Sequence, residues 1–207
     1  MLDANLRRNP EKMKHALDFM EKILDCGHAE KAPELDGSTE RWYLPLFTVY
    51  HPKKPGSIRC VFDSSAKFEG VSLNDVLLTG PDLVNSLLGI LLRFRQGVVA
   101  ITADIEQMFY RFSVPDEHRN YLRFMWYKDN DPNQEMIEYR MTRHVFGNSP
   151  SPAVATFGLR KCVSNADEDV RDFVSNNFYV DDALTSVDTC EEAISILSHT
   201  QATLKEE

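Results

Sequence analysis

Two adjacent aspartates, Asp181 and Asp182, sit between two apolar, β-branched runs in the stretch NNFYVDDALTSV, Asn176 to Val187. Taken alone the pair is ordinary turn chemistry, because Asp bonds its local backbone and tolerates unusual dihedrals, and repulsion between neighbouring carboxylates is small in water. It acquires a second meaning if a third carboxylate is presented in the same way, since two divalent ions about 4 Å apart need several acidic oxygens. Asp104 is the candidate: it closes the apolar run Val98 to Ala103. That run is too apolar to be one-sided and reads as a central strand buried on both faces, so Asp104 stands where a rigid scaffold can present it to a ligand. The competing reading makes Asp104 the cap of the IEQMFYRF turn that follows it.

The elements that must position these residues can be read from caps, breakers and periodicity. NPEKMKHALDFMEKILDCGH is a helix capped by Asn9, with Pro10 in its first turn, Gly27 at its end and a stripe of Met13, Leu17, Met20 and Leu24. The polar loop KAPELDGSTE follows. From Arg41 to Asp63, WYLPLFTVYHP and SIRCVFDSS alternate as strands around PKKPGS, a hairpin with a basic tip. Lys53, Lys54 and Arg59 form the densest positive cluster, either a solvated edge or a phosphate contact. DLVNSLLGILLRFRQG reads as a second helix with Leu83, Leu87, Ile90, Leu91 and Phe94 on its apolar side and Gly97 stopping it. HVFGNSPSPAVATFGLRKCV is a Gly/Ser/Pro loop running into a helix, which lets backbone approach a flat or phosphorylated ligand. The final helix, in CEEAISILSHTQATLKEE, is begun by Asp188 with Glu191 completing a capping box.

Composition narrows the class. The chain has 207 residues, 43% hydrophobic and 27% charged, enough for one domain with a full core or one with a small lobe attached. No segment approaches the roughly 18 apolar residues of a membrane span, and the N-terminus has no signal-peptide pattern, so an intracellular protein without a membrane partner is expected. A net charge of −9 argues against a wholly basic nucleic-acid binder but not against a local basic groove. The four cysteines are scattered, without a C-x-x-C pair, and read as thiols rather than zinc ligands.

In order along the chain, WYLP, RCVFDSSAK, SLNDVLLTGPDL, LLRFR, TADIEQMFYRF, LRFMW, FGNSPSP and YVDD match one pattern. From Gly27 onward the sequence resembles the fingers and palm of a reverse transcriptase, specifically that of BEL/Pao-type retrotransposons. The resemblance implies that Asp104 and Asp181 are the main ligands of two Mg²⁺ ions (Mn²⁺ being an alternative), with Asp182 beside them and the Ile105 carbonyl contributing. It implies that Arg59 and Lys54 reach the triphosphate, and that Phe109 lies beneath the incoming sugar and excludes a 2′-hydroxyl; the plainer reading of Phe109 is a core aromatic. Gly147, Ser151 and Pro152 match the loop that holds template and nascent pair, and Tyr179 would lie near the primer end. One position departs: retroviral enzymes carry glutamine where this chain has Phe146, and a ring can pack or stack but cannot hydrogen-bond a sugar.

The implied fold is α+β: a polymerase palm, with an antiparallel sheet and helices packed on one face, plus a small fingers lobe, the thumb being absent. Along the chain this divides into an N-terminal helix and loop (1–40), a fingers-like segment (41–97) and a palm (98–207). The implied function is RNA-directed DNA polymerisation: transfer of nucleotides from dNTPs to a primer 3′-hydroxyl on an RNA or DNA template. Thumb, ribonuclease H, integrase and protease would belong to the same polyprotein, in a cytoplasmic retrotransposon particle. The rival is a non-catalytic relic or co-opted nucleic-acid-binding fragment. An RNA-templated RNA polymerase is disfavoured by the bulk of Phe109.

Overall fold

The computed structural model describes residues 2–50 and 58–205. The first half of the chain carries helices α1 (Leu2–Arg7) and α2 (Pro10–Asp25), then strands β1 (Ala29–Lys31), β2 (Leu46–Tyr50) and β3 (Ile58–Phe62). Helices α3 (Leu73–Val76) and α4 (Leu87–Arg93) lead into strand β4 (Val99–Asp104). Strands β5 (Arg123–Tyr127) and β6 (Met136–Met141) precede helices α5 (Ser151–Cys162) and α6 (Glu168–Asn177). Strands β7 (Phe178–Tyr179) and β8 (Asp182–Val187) and helix α7 (Cys190–Lys205) complete the order. The contacts group these into two compact units, each built from two stretches: 1–78 with 109–149, and 79–108 with 150–207. The grouping thus crosses a division by chain order at residues 40 and 97.

In the first unit α2 begins as its sequence dictates. The Asn9 side chain accepts from the Lys12 amide at 3.0 Å, Pro10 occupies the first turn, and Gly27 follows the helix at a φ of +65°. Its buried stripe is Ala16, Met20 and Ile23, with Met13, Leu17 and Leu24 half-buried beside it. The expected stripe is therefore rotated toward the small Ala16, which lets the helix approach the core closely. The core joins α2 to β3 and to the antiparallel sheet β1-β6-β5 through Cys60, Phe62, Phe124, Trp126 and Tyr139. Burial pushes the Cys60 thiol up to about 12, so it is packed as an apolar group. Strands β2 and β3 pair antiparallel from Leu46 opposite Phe62 to Tyr50 opposite Ile58; the expected tip, with Lys53 and Lys54, lies outside the described residues. Two arginines are buried in this unit. Arg123 donates to Glu138, Asn120 and the Pro33 carbonyl, and Arg140 donates to Glu30 and Asp116 at 2.7 Å each. Such groups persist inside only because every charge is paired.

The second unit is built on the antiparallel sheet β4-β8-β7. Ile101, Ala183 and Thr185 form its buried face, with α6 and α7 packed on β8. The expectation that Val98 to Ala103 is buried on both faces is overturned. Among the described residues β4 pairs only with β8, and Ala100 and Thr102 are exposed, as is Val98 at 86%. The outward residues are small or hydroxylated and suit a half-exposed strand; only their lack of charge made the run read as two-sided. The second helix is likewise shorter than its apolar pattern. Ser86, not a residue near Asp82, caps it through the Gly89 amide at 3.4 Å, and Phe94 ends it. The last helix is capped one residue later than expected: Thr189 Oγ1 accepts from the Glu192 amide at 3.2 Å, and the Glu192 carboxylate accepts from the Asp188 amide at 3.3 Å. Thr189 is thus in the cap, and the Glu192 carboxylate reaches past it to the Asp188 amide instead of closing a capping box on Thr189 itself.

Gly97 does not stop α4; it lets the chain pass against β8. Its amide donates to Ser186 Oγ at 2.8 Å, and a methyl group there would collide with the Val187 backbone. Gly97→Ala is expected to destabilise the chain by about 1–3 kcal/mol, the usual cost of overpacking. Urea denaturation reads this as a lower midpoint at unchanged slope; an unchanged midpoint would show that the backbone there yields freely.

Candidate active site

The carboxylates are placed by backbone register. β4 and β8 pair from Val99 opposite Val187 to Asp104 opposite Asp182, and the Ile105 amide donates to the Asp181 carbonyl at 3.0 Å just past the last pair. Directly opposed residues of an antiparallel pair project from the same face with Cβ atoms about 5 Å apart. Asp104 and Asp182 thus share the exposed face of the sheet, opposite the face formed by Ile101 and Ala183. Asp181, half-buried, is the second residue of a two-residue turn, since Tyr179 pairs with Asp182. Asp104 is the last residue of β4, just before the IEQMFYRF turn. It has an interaction partner within the protein.

Three carboxylates and a peptide carbonyl are an all-oxygen donor set suited to a hard divalent cation such as Mg²⁺. Among the described residues, however, no group of three or more His, Cys, Asp or Glu is gathered closely enough to hold a metal ion. The backbone brings Asp104, Ile105, Asp181 and Asp182 to one end of one sheet; like charge opposes closer approach of the side chains.

The turn is strained. Val180 has a φ of +58°, where a β-branched side chain crowds its own backbone and glycine is the usual occupant. Strain of this kind costs about 1–3 kcal/mol and persists only where the surroundings enforce it. Helix α6 enters the hairpin without a loop, because Asn177 ends the helix and Phe178 begins β7. The Phe178 ring packs edge-to-face on Phe173, with centroids 5.6 Å apart. Tyr179 is 38% exposed beside the turn. At the start of α5 in the same unit, Ser151 is buried and takes part in an interaction within the protein, whereas Pro152 is exposed.

The remaining candidates belong to the first unit. Arg59 is exposed on β3 opposite Val49; Lys54 lies outside the described residues. Phe109 and Phe146 meet edge-to-face at 5.6 Å, with Phe146 71% exposed. Its neighbour Tyr110 is the ring that turns inward: it stacks on His28 at 4.9 Å, and burial pushes its hydroxyl up to about 12. Both adjacent aromatics are half-buried: Tyr110 packs against the core of the first unit, and Phe109 packs against Phe146. Gly147 takes a φ of +105°, which favours glycine.

The loop around Gly147 shows residues that sequence reasoning missed. Asn74 donates to the Gly147 carbonyl at 2.9 Å and accepts from the Ser149 amide at 2.8 Å, while buried Ser64 and Asn148 bond to each other. Asn74 lies inside the motif SLNDVLLTGPDL, but nothing in its spacing points to a contact 73 residues away.

No protein-family model matches the chain, and no curated protein matches it. Among solved structures it is similar to prototype foamy virus protease-reverse transcriptase (CSH mutant), with 22% identity and a TM-score of 0.70 over 96% of this chain and 23% of that one. The foamy viral protease-reverse transcriptase in complex with dsDNA matches with 21% identity and a TM-score of 0.69, over 93% of this chain and 34% of that one. The enzyme in complex with an RNA/DNA hybrid matches with 20% identity and a TM-score of 0.66, over 90% and 21%. The chain thus spans between about a fifth and a third of those structures. The fold is that of a reverse-transcriptase fingers and palm. No helix among the described residues is long and apolar enough to cross a membrane.

Val180→Gly is expected to raise stability by up to about 1 kcal/mol, the relieved strain outweighing the added freedom of the unfolded chain. A thermal or urea melt checks this, and a lower midpoint would mean that Val180 is not strained where it stands.

Proposed function

We propose that this chain is the fingers and palm of an RNA-directed DNA polymerase of the BEL/Pao retrotransposon type. The observation that carries the reading is the register match of Asp104 with Asp182, extended by the Ile105 to Asp181 bond, at the exposed end of a palm-type sheet. Asp104, Asp181, Asp182 and the Ile105 carbonyl would hold two Mg²⁺ ions, or Mn²⁺. Such ions, when bound, lower the pKa of a primer 3′-hydroxyl and neutralise charge on the triphosphate.

The reaction forms a bond from the primer 3′-oxygen to the α-phosphorus of a dNTP and breaks the bond to the bridging oxygen, releasing pyrophosphate and the hydroxyl proton. The chain's own residues bind and orient. Arg59 offers a fork of donors that suits phosphate oxygens, and Lys54 a point charge. Phe109, backed by Phe146, supplies a rigid apolar wall against which a 2′-hydroxyl has no room and no partner. The foamy viral enzymes are seen with dsDNA and with an RNA/DNA hybrid; a primer paired to an RNA or DNA template is the corresponding partner here, held by the Gly147 loop, Ser151, Pro152 and Tyr179. Ser151, buried at the start of α5, would act by shaping the backbone there, and the exposed Pro152 by surface contact.

The test is primer extension on an RNA template with Mg²⁺, using this chain and the longest natural polypeptide that contains it. Asp181→Asn should fold, melting no lower than the unaltered chain, and lose nucleotide incorporation by at least 10³-fold, roughly the scale of removing a main charge-stabilising group. Incorporation retained in that variant would end the two-metal assignment. Binding of primer-template with no incorporation by the unaltered chain would favour a non-catalytic binding module. Phe109→Ala should raise the ratio of kcat/KM for ribonucleotides over deoxynucleotides by at least tenfold, the scale of a steric discrimination of about 1–3 kcal/mol. An unchanged ratio with a lowered melting temperature would make Phe109 a packing residue only.

A further inference from the structure

Helix α6 delivers its last residue directly into the strand that carries the Asp181–Asp182 turn, so the end of that helix sets where the turn points. A helix end leaves its last four carbonyls without partners within the helix and carries the negative pole of its dipole. The last turn of α6 contains no basic residue of its own. The carbonyls are met instead from two other elements of the same unit. Asn85, just before α4, donates through one amide nitrogen to the Ser175 carbonyl at 2.9 Å and to the Phe178 carbonyl at 2.8 Å. Arg160, in the last turn of α5, donates to the Asn85 side-chain oxygen at 3.2 Å, the Leu83 carbonyl at 3.1 Å and the Ser175 carbonyl at 3.5 Å. Arg93, at the end of α4, donates to the Asn176 carbonyl and, at 3.3 Å, to the Asn177 side chain.

The same segment also reaches the other arm of the hairpin. Ser186 on β8 donates to the Arg93 carbonyl at 3.1 Å and accepts from the Gly97 amide at 2.8 Å. Both arms therefore hang from residues 83–97. The Asn85 amide is fully used: two hydrogens go to two carbonyls and its oxygen accepts from Arg160. No carboxylate pairs with Arg93 or Arg160 among the described residues; their charges face peptide carbonyls at a helix C-terminus, where a cation is favourable.

We infer that Asn85, Arg93 and Arg160 are positioning residues that fix the base of the hairpin and so aim Asp181 and Asp182 at Asp104, an assignment that rests on the polymerase reading of those carboxylates. They touch neither substrate nor metal; they act through Ser175, Asn176 and Phe178. Misplacement of reacting groups by about 1 Å costs up to roughly 10²-fold in rate. Asn85→Ala and Arg160→Met are therefore expected to lower kcat by about ten- to a hundredfold while the KM for primer-template stays within about twofold. They should also raise the Mg²⁺ concentration needed for half-maximal rate at a temperature where the variants remain fully folded.

Hydrogen exchange supplies a readout that does not depend on activity. In Asn85→Ala and Arg160→Met the amides from Phe178 to Asp182 should exchange at least tenfold faster while those of β5 and β6 are unchanged. Arg160→Lys keeps the charge but not the fork and should fall between the unaltered chain and Arg160→Met; it also serves if Arg160→Met does not fold. Unchanged exchange at the hairpin, or a uniform rise throughout the unit, overturns the inference. An unaltered chain that does not polymerise overturns the functional reading instead, and the exchange experiment still decides whether the clamp sets the hairpin.

Discussion

Like charges opposed across a hydrogen-bonded ladder are the constraint on which the second unit is organised. Asp104 faces Asp182 and Asp181 is one residue away, an arrangement that disfavours the folded state when no cation is present. It is held by neighbours that do not share the repulsion. Ala103 opposite Ala183 and Ile101 opposite Thr185 continue the ladder inward, and the Ile105 amide closes on the Asp181 carbonyl on the far side of the charged pair. The charged rung lies between two bonded ones, so the strands cannot splay there to relieve it. Rotation of the side chains is the freedom that remains, which accounts for carboxylates adjacent in register but not gathered into a cluster.

A second unfavourable feature, the left-handed Val180, sits in the same turn. Strain persists where surroundings over-determine a conformation, and here each arm of the hairpin has its own attachment: the end of α6 through Asn85, Arg93 and Arg160, and β8 through Ser186. The first unit handles its irregular backbone by the same chemistry. Asn74 spans Gly147 and Ser149 with one donor and one acceptor. An amide side chain offers both at once in a fixed plane, so it can replace a missing rung of ladder where the chain leaves regular structure.

Legibility in the sequence followed the range of the interaction. The α2 cap at Asn9, the pairing of β2 with β3 and the YVDD turn rest on residues within a few positions of one another, and each was legible. Capping at the last helix was legible in kind but shifted by one, because Asp188 and Thr189 are both capping types and only the bond from the Glu192 amide to Thr189 Oγ1 separates them. Both faces of β4 looked buried because Ala100 and Thr102 carry no charge, yet small uncharged residues are equally at home on an open face. Asn85 and Arg160 were illegible for a different reason. Their partners lie up to 93 residues away, and a polar residue beside or within a helix carries no mark that separates a solvated side chain from one committed to distant carbonyls. The buried Arg123 and Arg140 fail in the same way, since residue type argues for the surface and only assembled neighbours such as Glu138 and Glu30 reverse it.

The overall charge of −9 looks at odds with a polyanionic partner, and the resolution is a matter of distance. At physiological ionic strength exposed charges are screened beyond about 8 Å, so most of that charge does not reach any one site; what a phosphate meets is set by the groups within that radius. At the Asp104–Asp182 end of the sheet the opposed carboxylates and Asp181 stand together in register, and a triphosphate alone would be repelled by them. Two divalent ions held there would carry +4 against the three carboxylates and reverse the sign of the field, so the element that destabilises the folded chain becomes the one that recruits substrate. On the proposed polymerase reading the acidic turn would gate nucleotide by charge: cation and triphosphate would bind as linked events, because each would reduce the penalty that the other meets alone.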